Sequence, residues 1–168
     1  SEGSYRRIIF TMFTLELIAA GGDAVAGIFR GRSGIIAWQA THLGNYATFS
    51  ANFFLLAVFT SYLCERMREV GATHVRRWRA GALVAAAVMS LLTALGTFYT
   101  IDAANLYHRS DLYWMTYAYA LVLGLVDFFL LMRSRKDLER SAFWCLLFYI
   151  IAPLLAMSVQ VYVYGLNF

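Results

Sequence analysis

Residues 112–132 read LYWMTYAYALVLGLVDFFLLM, an apolar run interrupted by a single charge, Asp127. A bilayer's hydrocarbon layer of about 30 Å takes about 20 helical residues to cross, and this run is long enough. Four more runs of similar length flank it: Ile8–Phe29, Tyr46–Cys64, Ala80–Ile101 and Ala142–Tyr164. Helices are the economical prediction for all five, because an open strand in lipid leaves backbone groups unpaired. Composition agrees. Apolar residues make up 61% of the 168 and charged residues 14%, against about 45–50% and about 25% in soluble domains. There is one proline, and no repeat or Gly/Ser-rich stretch that would divide the chain. The expected fold is all-α: a polytopic membrane helix bundle with five spans, forming one transmembrane domain over residues 1–168.

Thirteen arginines and one lysine orient these spans. Eleven of those fourteen fall before the first span or in the connections 65–79 and 133–141; only Arg30, Arg32 and Arg109 lie in 30–45 and 102–111. Excess Lys and Arg marks cytoplasmic loops. The N-terminus is thus expected inside, residues 102–111 outside, and Phe168 outside. Trp38, Tyr99, Tyr107, Tyr113 and Trp114 would sit at the outer interface and Trp78 and Trp144 at the inner one, where aromatic belts form. The net charge of +4 is explained by this topology, so the lipid bilayer and not nucleic acid is the expected partner. Cys64 and Cys145 fall on the reducing side, where a disulfide is not expected. The opening SEGSYRRIIF places arginines before an apolar run that is too long for a signal peptide and lacks a cleavage site.

Several polar groups lie within the runs. Glu16 and Asp23 share a face of the first helix; carboxylates at membrane depth are functional candidates, or else are protonated or paired with a neighbouring helix. Asn45 and Asn52 share a face of the second. Ser90, Thr93, Thr97 and Thr100 form a stripe expected to bond within or between helices. Small residues at four-residue spacing (Ala20 with Ala24, Gly22 with Ala26, Ala82 with Ala86) allow close helix approach. Asp127 is expected to form an ion pair with Arg133. Pro153 should kink the last helix, with Tyr149 and Gln160 on the same side, and Asn52 and Gln160 should face other helices.

Catalytic signatures are absent. His42, His74 and His108 fall in connections on different sides of the membrane, so no metal or haem site is expected between helices. Lys136, the single lysine, is in a loop, which excludes a retinal Schiff base. There is no phosphate-binding glycine loop and no nucleophile motif. No enzymatic activity, metal or cofactor is expected of this chain.

The stretch FYTIDAANLYHRSDLYW (98–114), followed by RKDLERSAFWCLLFYIIAPLLAMSVQVYVYGL (135–166), resembles the membrane input region of bacterial GGDEF-type diguanylate cyclases and related sensor kinases. Asp102, Asn105, Tyr107, Arg109, Arg135, Lys136, Pro153, Gln160, Tyr164 and Gly165 fall on that family's motif positions. Asp23 and Asn52 fit its looser N-terminal pattern. Ser110 and Asp111 depart from it, replacing the usual Gly-Pro or Gly-x after the arginine. The resemblance implies a seven-helix module of which five helices are present, with no GTP-binding motif in the chain. It further implies a sensory domain of the bacterial inner membrane, acting as a homodimer, that binds an unknown small-molecule signal and controls a cytoplasmic output domain. Asp102, Asn105, Tyr107, Arg109, Asp23, Asn52 and Gln160 are the candidate ligand-binding residues. Alternatively the outer-loop residues pin the loop, with Arg109 paired to Asp102 or Asp111. Two other classes remain open at this point: a substrate-binding subunit of a small-molecule importer, and a purely structural subunit.

Overall fold

A computed structural model describes residues 2–69, 75–136 and 138–164. Five helices are formed: α1 (Glu2–Phe29), α2 (Ile35–Glu69), α3 (Val75–Ala94), α4 (Trp114–Arg133) and α5 (Arg140–Tyr164). Between α3 and α4 lies a small antiparallel hairpin, β1 (Tyr99–Ile101) and β2 (Tyr107–Arg109), with Tyr99 opposite Arg109 and Ile101 opposite Tyr107. The all-α expectation holds apart from this hairpin. Among the described residues, three helical segments are long and apolar enough to cross a membrane: Gly3–Phe29, Ile35–Arg66 and Asp111–Arg133. That is fewer than the five expected. Arg76, Arg77 and Arg79 occupy the start of α3, and the apolar part of α5 that meets the description, Arg140–Ala152, is shorter.

Two expected boundaries move. The second helix starts at Ile35, not Tyr46, which places His42 on a helix instead of in a connection. Its polar residues do not interrupt it because they bond one turn back along their own helix. Thr41 Oγ1 donates to Ala37 O (3.0 Å) and Asn45 Nδ2 to Thr41 O (2.8 Å). The third helix, expected to reach Ile101, stops at Ala94. Gly96 adopts φ +73°, its N–H bonds Thr93 O, and the Thr97 N–H bonds Leu92 O. These paired closures form a Schellman stop, which glycine accommodates without steric cost.

The bundle is organised around α2, which packs against α1, α3 and α4, while α4 also packs on α5. One core joins Phe53 and Ala57 of α2 to Ala82, Ala86 and Met89 of α3 and to Phe98 beneath the hairpin. A second joins Phe59 and Leu63 of α2 to Leu130 and Leu131 of α4 and Ile150 of α5. Polar bonds cross the same contacts: Ser90 Oγ lies 2.7 Å from Ser50 Oγ and 3.2 Å from Tyr46 Oη, and Tyr119 Oη donates to Phe53 O (2.8 Å). Large apolar side chains instead cover the outside, among them Phe10, Phe13 and Leu17 of α1 and Leu121, Leu125 and Phe129 of α4. An apolar exterior of this extent is what a lipid solvent requires and water penalises.

Candidate functional site

The hairpin is held by its own polar residues. Asp102 Oδ1 accepts from the N–H groups of Ala104 and Leu106 (both 2.9 Å). Its Oδ2 lies 2.8 Å from His108 Nε2. These bonds hold the Asp102 carboxyl below the ordinary carboxylate range, the His108 contact contributing most. Asn105 is 3% exposed and sits at φ 59°, a left-handed conformation that asparagine tolerates better than most residues. From there its Nδ2 donates to Phe29 O (2.8 Å) and Arg32 O (3.2 Å) at the C-terminal end of α1, and its own carbonyl accepts from Gly31 N–H (3.0 Å). At the other end of the hairpin, Ser110 closes its base through Oγ to Thr97 O and N–H to Phe98 O (3.0 Å).

Arg109 takes a different partner from the one expected. Asp102 is engaged by His108, and the Arg109 guanidinium lies 4.6 Å above the Tyr113 ring. Among the described residues the ion pair at the hairpin is the one between His108 and Asp102. Register explains the exchange: alternate residues of a strand face opposite ways, and with Thr100 paired to His108 and Tyr99 to Arg109, His108 shares the face that Asp102 continues while Arg109 lies on the other. Tyr99 stacks between Phe49 (5.4 Å) and Tyr107 (5.3 Å), and Tyr113 meets Phe49 edge-on at 6.0 Å.

Beneath the hairpin, between α1 and α2, is a cavity of about 400 Å³ lined by Asp23 of α1, Arg30 just after it, Asn45 and Asn52 of α2, and the Tyr107 and Tyr113 rings. Burial raises the Tyr107 phenol well above its usual range, so it presents a neutral hydroxyl. The expected site residues thus divide into two groups. Asp23, Asn52 and Tyr107 line one cavity, whereas Asp102, Asn105 and Arg109 build the hairpin above it. The side chains of Gln160 and Pro153, together with Gly165, lie outside the described residues. No family model, no curated protein and no solved structure matches this chain. The chemistry of the site is therefore carried by its own geometry. That geometry offers one carboxylate, one guanidinium, two amides and two phenols to a small polar molecule.

Arg30, a topology marker by sequence, also belongs to the site. Its spacing of seven from Asp23 places both on one face of α1, and that was a usable signal. Tyr113 had no such signal, since its approach depends on the hairpin. Asp127 does not pair with Arg133. Six helical residues turn the chain by about 600°, which leaves the two side chains on different faces. Asp127 is buried and bonds the Thr60 hydroxyl instead.

Proposed function

We propose that this chain is a sensory membrane domain whose outer cavity takes a small polar signal. The observation that carries the reading is the Asn105 anchor: a hairpin fastened to the end of α1 lies over a polar cavity shared by α1 and α2. A ligand touching Asp23, Arg30 and Tyr107 at once contacts α1 and the hairpin, and so bears on how α3 and α4 sit against α1. A ligand shifts such an equilibrium only by its differential affinity for the two arrangements, and a cavity spanning separately moving elements supplies that difference.

In this reading the domain lies in a bacterial inner membrane with its N-terminus cytoplasmic, works as a homodimer and catalyses nothing itself. It controls a cytoplasmic output domain, for which the resemblance of residues 98–114 and 135–166 points to a diguanylate cyclase. All five helices then cross the bilayer. α3 supports this with an exposed apolar face, Val84, Val88, Leu91 and Leu95, even though its start is basic.

The test is cellular cyclic di-GMP on expression of the gene's full polypeptide carrying Asp23→Asn or Tyr107→Phe. Either substitution should alter the level while membrane abundance is unchanged. Unaltered cyclic di-GMP for both would sink the sensory reading. Co-purification with ATPase subunits, accompanied by solute uptake in proteoliposomes, would replace it with an importer.

A further inference from the structure

A second cavity, of about 280 Å³, is lined by residues of α1, α2, α4 and α5. Leu55, Leu56, Phe59 and Ile150 give it apolar walls. Four polar side chains open onto it: Glu16 of α1, Asn52 of α2, Asp127 of α4 and Tyr149 of α5. Asn52 also lines the outer cavity, so it stands between the two. Gly124, one turn before Asp127, lets α5 approach α4 closely: a Cβ there would come within 3.1 Å of Leu154 Cδ1.

Asp127 is the decisive group. It is 2% exposed, and its Oδ1 is buried without a hydrogen-bond partner. Among the described residues, no arginine, lysine or histidine lines this cavity. A carboxylate removed from water needs a counter-charge and hydrogen-bond donors; among the described residues its polar neighbour is the Thr60 hydroxyl, which also donates to Leu56 O (3.1 Å). A second carboxylate, Glu16, borders the same space. The Phe59 and Tyr149 rings, 4.6 Å apart, add aromatic faces of the kind that attract cations.

We propose that this inner cavity binds a small membrane-soluble organic cation, a protonated amine on an apolar or aromatic body, with its ammonium between Asp127 and Glu16. The ammonium supplies the donors that Asp127 Oδ1 lacks, and the body replaces lipid or empty space against Leu55, Phe59 and Ile150. The volume of about 280 Å³ falls just below the about 300–1,000 Å³ typical of small-molecule sites, which selects a compact ligand. The proposal does not rest on the sensory reading, because binding is measured directly and a failure of signalling leaves it untouched.

The experiment is equilibrium binding of radiolabelled phenethylamine to the purified protein in zwitterionic lipid nanodiscs, with empty nanodiscs subtracted. The neutral isostere 2-phenylethanol serves as comparison. The expected result is saturable amine binding, at least tenfold tighter than the alcohol. Asp127→Asn should weaken amine binding at least tenfold and leave the alcohol unchanged; Glu16→Gln should weaken the amine at least threefold. Equal affinity for amine and alcohol overturns the proposal, as does an absence of saturable amine binding or an unchanged affinity in folded Asp127→Asn. If Asp127→Asn does not fold, the amine-to-alcohol ratio of the unsubstituted protein and the Glu16→Gln result decide the matter in the same way.

Discussion

Gly22 of α1 and Gly44 of α2 meet backbone to backbone: a Cβ on Gly22 would lie 2.6 Å from Gly44 O, and one on Gly44 would lie 2.6 Å from Gly22 O and 2.8 Å from Ala26 N. The Thr48 hydroxyl bridges the same crossing to Ala19 O at 3.2 Å. This contact sets the angle at which the two helices part, and with it the outer cavity. Gly44→Ala should therefore force the helices apart and cost about 1–3 kcal/mol, the usual range for overpacking. Unfolding of the purified protein by SDS titration reads the loss. Gly21→Ala is the control, since nothing lies within 4 Å of its added Cβ, and it should be neutral or slightly stabilising. Equal effects from the two substitutions would refute the crossing.

Asn105 combines two duties that substitutions can separate. Asn105→Gly keeps the left-handed backbone and loses the bonds to Phe29 O and Arg32 O; Asn105→Ala loses both the bonds and the backbone ease. A buried hydrogen bond contributes about 0.5–1.5 kcal/mol net, and left-handed strain for a non-glycine costs about 1–3 kcal/mol. Alanine should thus destabilise more than glycine in the same SDS titration. The reverse order would show that the positive φ does not matter.

The turn should respond to acid. The folded-state value of Asp102 lies below its ordinary 3.8, so its contribution is fully present above that ordinary value. It is lost as pH falls through the depressed folded one. The amide resonances of Ala104 and Leu106, whose N–H groups bond Asp102 Oδ1, should shift with a midpoint below 3.8. Asp102→Asn should abolish that transition. A midpoint at or above the ordinary value would contradict the hydrogen-bonding assignment.

Arg109 is held by an aromatic face, and an exposed cation–π contact is worth about 0.5–1 kcal/mol. Arg109→Ala and Tyr113→Leu should each cost about that much, and the double substitution should cost less than their sum. Strict additivity in this thermodynamic cycle would show that the two residues do not interact.

Orientation is testable at two exposed positions. Single cysteines replacing Ala103 in the hairpin turn and Lys136 after α4, in a background without Cys64 and Cys145, should differ toward an impermeant thiol reagent in intact cells. Labelling is expected at 103 and not at 136. The opposite pattern would invert the topology read from the arginines.

Hydropathy along the chain determined the helices and their apolar exterior, because a residue's preference for lipid is local and adds up over a window of about 20 residues. Local signals also fixed smaller features. The seven-residue spacing of Asn45 and Asn52 put both on the cavity face, and the spacing of Gly22 and Ala26 marked the helix crossing. Other features depended on contacts remote in sequence. Thr97 to Ile101 are apolar enough to continue α3, but the closure around Gly96 and pairing with residues 107–109 turned them into a hairpin. Asp102 and Arg109 looked complementary, yet strand register gave Asp102 to His108 and left Arg109 to Tyr113. Asp127 looked like one half of a pair with Arg133. Only the packing of α2, α4 and α5 around it buried its carboxyl beside a cavity with apolar walls, because burial is set by which helices surround a residue, and that is a property of the assembled bundle.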